Sequence, residues 1–472
     1  MRLSFKNLGV LDQVDLDLGD LTVVCGRNNT GKTYATYALY GFLRHWRRLT
    51  PSTSPEFAQK LTQDGTATID LGAFALSNWT GLLQDMANRY RDMLPAALAA
   101  DKSRFSDTQV SLDLPSPEAH LQPEFERVIR NKADKPIIGF HKPSGSYILT
   151  TTLLDGHETA LPAVAIMDYV TDAIQDLCFG HALPGVFMAS TERTGAAIFK
   201  NELNFTQRRL IEAITNIEKT KSKDINYGEI FSAIIPEFNS RYAFPVRDEV
   251  EFVNQVESLD SEESPLLRDN SDLLDAFNDL LGGEYKVVRK GGESGVFFVP
   301  DGTRGTRLGL GESSSAVRSL LDIGFYLRHR ARAGDLFMID EPELNLHPSN
   351  QRKVARLLAR LVNAGLKVFI TTHSDYIAKE LNTLLLLGRA GPAYAAKHHY
   401  VARELLRPEQ IALYIANTVK QKRDASSARA TSLRTLCRLT PLEDGAFEFP
   451  SFDETINDMN HIQRETWEHL HA

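Results

Sequence analysis

Three stretches of this chain carry almost no polar interruption: Leu21-Thr-Val-Val-Cys25, Leu336-Phe-Met-Ile339 and Val368-Phe-Ile-Thr371. A strand buried on both faces loses the polar alternation that a half-exposed strand keeps, so each reads as an interior strand of a parallel sheet. Ahead of the first, Leu3 and Phe5, then Val14, Leu16 and Leu18, alternate with polar residues and predict two half-buried strands. A further apolar run covers Gly185–Ser190. Helical spacing follows Gly31 to about Arg48. It returns from Trp79 to Ala100 through Leu82, Leu83, Met86 and Tyr90, and from Ser313 to about Arg330 through Val317, Leu320, Leu321, Phe325 and Leu327. Pro348 suits the first turn of a helix reaching Asn363, which Ala364-Gly365 ends. Strands alternating with helices at this spacing predict an α/β fold with a mainly parallel sheet.

The weaker patterns divide the rest. Residues 1–48 form the N-terminal part of the sheet domain and 49–184 an irregular insertion rich in Pro, Ser and Asp clusters. Residues 185–200 are a return strand, and 201–284 a mainly helical insertion whose acidic, Ser-rich Glu257–Glu263 reads as an exposed loop. Residues 285–388 open with strands around Tyr285–Val288 and Val296–Val299, an antiparallel β subdomain, and then return to the sheet. Residues 389–472 read as an α+β end piece with strands at Ile411–Ala416 and Leu433–Phe449 and a closing helix from Phe452 to about Leu470.

Composition narrows the classes. With 472 residues, 42% hydrophobic and 24% charged, the chain has the makeup of a soluble globular protein of two or three domains. No apolar run approaches the roughly 18 residues of a membrane span. The N-terminus alternates like a strand and lacks a signal's apolar core, so a cytoplasmic location is expected. Cys25, Cys178 and Cys437 are odd in number and far apart, which fits reduced thiols used in packing. A net charge of -8 argues against a uniformly basic surface. Two local basic clusters remain, Arg44-His-Trp-Arg-Arg48 and Lys420-Gln-Lys-Arg423 continuing through Arg429, Arg434 and Arg438. Solvated faces are their first reading, nucleic-acid or partner contact the second.

Chemistry gathers just beyond the apolar runs. Gly26-Arg27-Asn28-Asn29-Thr30-Gly31-Lys32-Thr33 matches G-x-x-x-x-G-K-[ST] at every fixed position, with a strand before it and a helix after. Such a loop turns backbone N–H groups and a helix N-terminus toward phosphates; Lys32 would reach the β and γ phosphates, and the Thr33 hydroxyl would hold magnesium. Asp340 and Glu341 follow the second run. The first is placed to hold Mg2+ and the second to orient or deprotonate an attacking water. Glu343 reads first as a structural cap or ion pair. His373 follows the third run, where it would sense the γ phosphate, and Ser374 would cap the next helix. The serines of Leu310-Gly-Glu-Ser-Ser-Ser-Ala316, Ser313 and Ser314 first among them, open a helix and offer a second anion site. Two phosphate sites on one chain make sense if two chains share each ATP.

The residues Glu312-Ser-Ser-Ser-Ala-Val-Arg-Ser-Leu320, Ile339-Asp-Glu-Pro-Glu-Leu-Asn-Leu-His-Pro348, Thr371-Thr-His-Ser374 and Thr191-Glu-Arg-Thr-Gly195 stand in the order of an ABC-type ATPase head. The chain resembles SMC, RecF and double-strand-break-repair heads. It is more closely similar to the bacterial AAA family ATPases found with OLD nucleases and in antiphage systems of the Septu and PARIS kind. The resemblance implies a P-loop NTPase fold, ATP with Mg2+, and an ATP-linked homodimer in which one subunit's serines close on the other's γ phosphate. It also implies control of a separate effector such as a nuclease. The serine segment lacks the paired glycines of transporter ATPases, and no Q-loop glutamine is evident. No heptad arm separates the motifs. After Leu387 there is no convincing TOPRIM acid set, and His398-His399 lacks HNH spacing, so no intrinsic nuclease is expected. A RecF-like DNA-maintenance ATPase is the alternative, and a scaffold using ATP as a clamp a third reading.

Overall fold

The computed structural model describes residues 1–51, 54–131, 133–154, 162–199, 242–259, 262–290, 293–303, 305–422 and 430–471. Strands are numbered in chain order. β1 (Arg2–Leu8) and β2 (Leu11–Asp17) pair antiparallel with Leu3 opposite Leu16 and Phe5 opposite Val14, which puts the alternating apolar set on one face. Their turn requires Gly9, where φ is +58° and an added Cβ would lie 2.3 Å from the Tyr34 ring. The apolar runs become β3 (Leu21–Gly26), β9 (Val186–Ala189), β13 (Leu336–Asp340) and β14 (Lys367–Thr372), mutually parallel. With β5 (Gln109–Asp113), β15 (Ile411–Lys422) and β16 (Ala430–Arg438) they form a nine-stranded sheet of order β5-β1-β2-β16-β15-β3-β14-β13-β9.

Helices cover both faces, which explains the missing alternation. Val24, Met338 and Phe369 enter a core with the helices Lys32–Leu49, Trp79–Ala97 and Ala163–Phe179. Their neighbours Val23, Ile339 and Ile370 enter an opposite core with Asp272–Leu281, Leu321–His329, Pro348–Asn363 and Asp375–Ala390. All strand residues of β3 and β13 are buried. Cys25 and Cys178 are buried free thiols whose pKa burial pushes up, so they serve packing.

Several elements depart from the sequence reading. The segment expected as an end piece, 389–472, supplies β15 and β16 to the middle of the sheet. β15 runs parallel to β3 and pairs Ala416 with Gly26. Its apolar run is that of another interior strand; only its late place in the chain suggested a periphery. The predicted strand to Phe449 stops at Arg438. The terminal helix Pro450–His471 leaves residues 457–471 exposed, so that part closes no core.

The region 49–184, expected to be irregular, contains helices and an antiparallel sheet of β4 (Thr66–Asp70), β8 (Ile148–Leu153), β7 (Pro136–Lys142) and β6 (Phe125–Arg130) in that order. It also contributes β5 to the edge of the main sheet beside β1. Apart from β7 these strands are half exposed, and polar turns hide their alternation.

The antiparallel subdomain is present as β10 (Gly283–Lys290), β11 (Glu293–Pro300) and β12 (Leu308–Gly309). The predicted helix Ser313–Arg330 is split into Ser315–Ser319 and Leu321–His329. In an unbroken helix the Ser319 carbonyl would accept from the Ile323 N–H; here Arg193 Nε takes it at 2.9 Å. Of the expected helical insertion, 201–241 lies outside the described residues, and Phe244–Gln255, Pro265–Asp269 and Asp272–Leu281 are helical. No helix among the described residues is long and apolar enough to cross a membrane.

Candidate nucleotide site

The site is built at the carboxyl ends of adjacent parallel strands, where an open α/β sheet presents its loops and helix N-termini. Gly26 ends β3 with φ +141°, and a Cβ there would meet the Ala416 carbonyl of β15 at 2.9 Å. Arg27, Asn28 and Asn29 are exposed, with Asn29 in the left-handed region at φ 62°. The Thr30 hydroxyl donates to the Arg27 carbonyl at 2.7 Å and tightens the loop. Gly31, at φ 96°, sits at the N-cap of Lys32–Leu49 with no side-chain cap, so the first-turn N–H groups are left for a ligand. A Cβ on Gly31 would lie 2.6 Å from Leu11 Cγ, which fixes glycine there. Lys32 Nζ folds over the loop, donating to the carbonyls of Gly26 at 3.0 Å and Arg27 at 2.9 Å. Burial lowers its pKa, while Glu341 and Asp340 act in the opposite direction. Thr33 is exposed in the first helical turn.

Asp340 is 3% exposed at the end of β13, and one carboxylate oxygen accepts from the Thr371 hydroxyl of β14. Burial raises its pKa to about 6 against the Thr371 hydrogen bond. A desolvated carboxylate and the exposed Thr33 hydroxyl are both oxygen donors of the kind a hard cation takes. Among the described residues no cluster of three or more His, Cys, Asp or Glu could hold a metal alone. That combination fits Mg2+, which keeps waters and phosphate oxygens and takes few protein ligands.

Glu341 follows with φ 51°, an uncommon backbone state for a residue with a side chain. Its N–H donates to the Thr371 carbonyl at 3.1 Å. His373 Nε2 lies 3.6 Å from Glu341 Oε1. Burial, and after it Lys32, lower the His373 pKa, which favours the neutral ring. Glu343 accepts from the Thr372 hydroxyl at 3.0 Å and the His373 N–H at 2.5 Å, which holds the loop before the Ser374 cap. Ser374 Oγ accepts from the Ile377 N–H at 3.1 Å and caps Asp375–Ala390.

The serine segment stays engaged with itself. Ser313 Oγ donates to the Gly309 carbonyl at 2.8 Å, and Ser314 Oγ accepts from Val317 N–H at 3.3 Å as the cap of the five-residue helix Ser315–Ser319. Lys32, Asp340, Glu341 and His373 thus share one neighbourhood, while the serine hydroxyls bond within their own loop.

Sequence reasoning assigned no role to Arg193 or Glu192. Arg193 is 1% exposed, and its guanidinium donates to four backbone carbonyls: Ser319 at 2.9 Å, Ser190 at 2.7 Å, Asp340 at 2.6 Å and Glu341 at 2.6 Å. Glu192 accepts from the Tyr37 hydroxyl on Lys32–Leu49 at 3.1 Å. The available signal was a charged pair, Glu192-Arg193, shortly after an apolar strand.

The first basic cluster is largely committed internally. Arg44 pairs with Asp248 at 2.9 Å, Arg47 pairs with Asp176, and His45 and Trp46 are buried. In the second, Arg438 pairs with Asp17 at 3.0 Å, while residues 423–429 lie outside the described residues.

Residues 168–378 match the AAA ATPase domain family, a range that holds β9, the serine segment, β13 and His373. No curated protein matches the chain. Among solved structures, an SMC head bound to the C-terminal winged-helix domain of ScpA aligns at 12% identity and TM-score 0.33, over 92% of this chain and 97% of that one. A Pyrococcus furiosus SMC head with an extended coiled coil, bound to the C-terminal domain of ScpA, aligns at 11% and 0.31 over 98% of each chain. The Thermotoga maritima SMC head aligns at 9% and 0.29, over 92% and 97%. At these TM-scores the likenesses bear no functional weight. Residues 168–378 are thus similar to an AAA ATPase domain, and the parallel sheet with the glycine loop at 26–33 is a P-loop fold.

Proposed function

We propose that this protein is an ABC-type ATPase that binds and hydrolyses MgATP at a site completed by a second copy, and that it uses the closed state to control a separate effector in antiphage defence. The observation that carries the ATPase reading is the gathering of Lys32, Asp340, Glu341 and His373 at the ends of β3, β13 and β14. Gly26 through Thr33 would hold the triphosphate, and Thr33 and Asp340 the magnesium. When bound, Mg2+ offsets phosphate charge and fixes the phosphates' orientation. Glu341 takes up the proton of the attacking water. Neutral His373 leaves that carboxylate unpaired and able to act as a base, whereas the protonated ring would engage it. Lys32 moves from the loop carbonyls to phosphate oxygens.

Because Ser313 and Ser314 bond within their own loop, supplying them in trans requires a second head. The Glu341→Gln variant is therefore expected to bind ATP and accumulate as a dimer, read by light scattering at several protein concentrations. ATP-independent association in that variant would defeat the trans-site reading. Lys32→Ala should abolish turnover; persistent hydrolysis would remove the assignment of the site. Salt-sensitive stimulation of hydrolysis by DNA, without any bound effector, would favour the DNA-maintenance alternative.

A further inference from the structure

The buried guanidinium of Arg193 joins parts of the chain that the proposed reaction needs to act together. One N–H fixes the Ser319 carbonyl at the end of the serine helix, and the others fix the carbonyls of Ser190, Asp340 and Glu341. Ser319 adds to the link, because its hydroxyl proton is shared between the Ala316 carbonyl of its own helix at 3.0 Å and the Leu344 carbonyl, three residues beyond Glu341, at 3.2 Å. Asn345 closes the mesh from the same loop, donating to the Thr194 hydroxyl at 3.2 Å. Glu341 stands within this mesh at φ 51°, a backbone state that is costly in a residue with a side chain and persists only where its surroundings enforce it.

Two buried acids lie near the cation: Glu249 and Asp322 are each 1% exposed, the Ser190 hydroxyl donates to Glu249, and burial raises the pKa of both carboxyls while Arg193 acts against that shift. A lysine in that place offers three N–H donors on one compact ammonium, so it cannot serve all four carbonyls and has no planar fork to span them.

We propose that Arg193 is a positioning residue that keeps Glu341 in its left-handed conformation and ties it to the serine helix, so that docking of the serines aligns the hydrolytic carboxylate. The inference rests on the ATPase reading of this site. Displacement of the serine helix moves the Ser319 carbonyl, and Arg193 passes that movement to the carbonyls of Asp340 and Glu341. The side chain touches no substrate; it acts through backbone.

The test uses the full chain with Arg193→Lys and Ser319→Ala. For Arg193→Lys, kcat should fall about 100-fold while the ATP Kd, read by fluorescent-nucleotide titration, changes less than about 3-fold and ATP-linked association persists. For Ser319→Ala, which leaves the guanidinium in place and loosens the link to Leu344, kcat should fall several-fold at unchanged Kd. Near-wild-type kcat in both folded variants overturns the inference, as does a loss of ATP affinity that accounts for the whole effect. If Arg193→Lys does not fold, Ser319→Ala alone decides, with unchanged kcat counting against the proposal. Absence of hydrolysis in the wild-type protein would instead defeat the underlying ATPase reading.

Discussion

Asp340 carries a desolvation cost that its nearest neighbours only partly offset. It is 3% exposed, accepts from one hydroxyl, and has Glu341 beside it. A residue kept for folding alone would not be an acid here. Asp340→Asn is therefore expected to raise the nucleotide-free protein's resistance to urea by about 1–3 kcal/mol while abolishing Mg2+-dependent stabilisation by ATP. Lower stability of that variant without nucleotide would contradict the cost assigned to the carboxylate. Ser314 offers a contrast, since its hydroxyl already caps a helix. Ser314→Ala should lose about 1 kcal/mol in the absence of ATP, measured by the same unfolding curves. Arg193 shows why one residue stayed invisible in the sequence: charged side chains read as surface, and only the fold reveals that four carbonyls converge on this one.

The helix Lys32–Leu49 presents the phosphate loop at one end and a pH-sensitive contact near the other. His45 is 5% exposed, meets Phe244 edge-on with ring centroids 4.4 Å apart, and has its pKa pushed down to about 4 by burial and then by Arg48. Asp248 opposes that shift, whereas Arg44 and Arg247 add to it. The unfolded histidine takes a proton near pH 6.5 and the folded one does not. Its contribution is therefore complete above that pH and is lost as pH falls toward 4, about 3 kcal/mol at most. Urea unfolding at pH 7 and pH 5 should show this loss, and His45→Leu should flatten it; an unchanged slope in the variant would reassign the acid sensitivity.

Elements such as β3, β13 and β14 were legible because burial on both faces leaves an uninterrupted apolar run beside a motif. Strands β4, β6 and β8 were not, because each is half exposed and offers no uninterrupted apolar run, with burial in β6 alternating between intermediate and exposed; β7 is more buried but stands beside no motif. The break at Leu320 was also hidden, since it depends on a carbonyl captured by a residue more than a hundred positions away.

At the scale of the whole molecule, β15 decides the integrity of the site. It pairs with β3 from Ile411↔Leu21 to Ala416↔Gly26, and Gly26 approaches it too closely for any Cβ. Removing 411–472 should strip a flank from the phosphate-loop strand and yield aggregated protein without ATP binding. Removing 450–472 deletes a helix exposed from 457 onward and should leave folding and ATP affinity intact, as judged by calorimetry and nucleotide titration. Comparable damage from both truncations would show that the terminal helix supports the sheet.

The same pairing sets an order of events during synthesis. A ribosome finishes the glycine loop early, yet β3 must wait for nearly four hundred further residues before β15 can lie beside it. Through that interval an apolar strand lacks its final neighbour, and such non-local pairing is slow and exposed to aggregation. The nascent chain would therefore need protection from aggregation until translation has passed Ala416, and nucleotide binding would mark that passage.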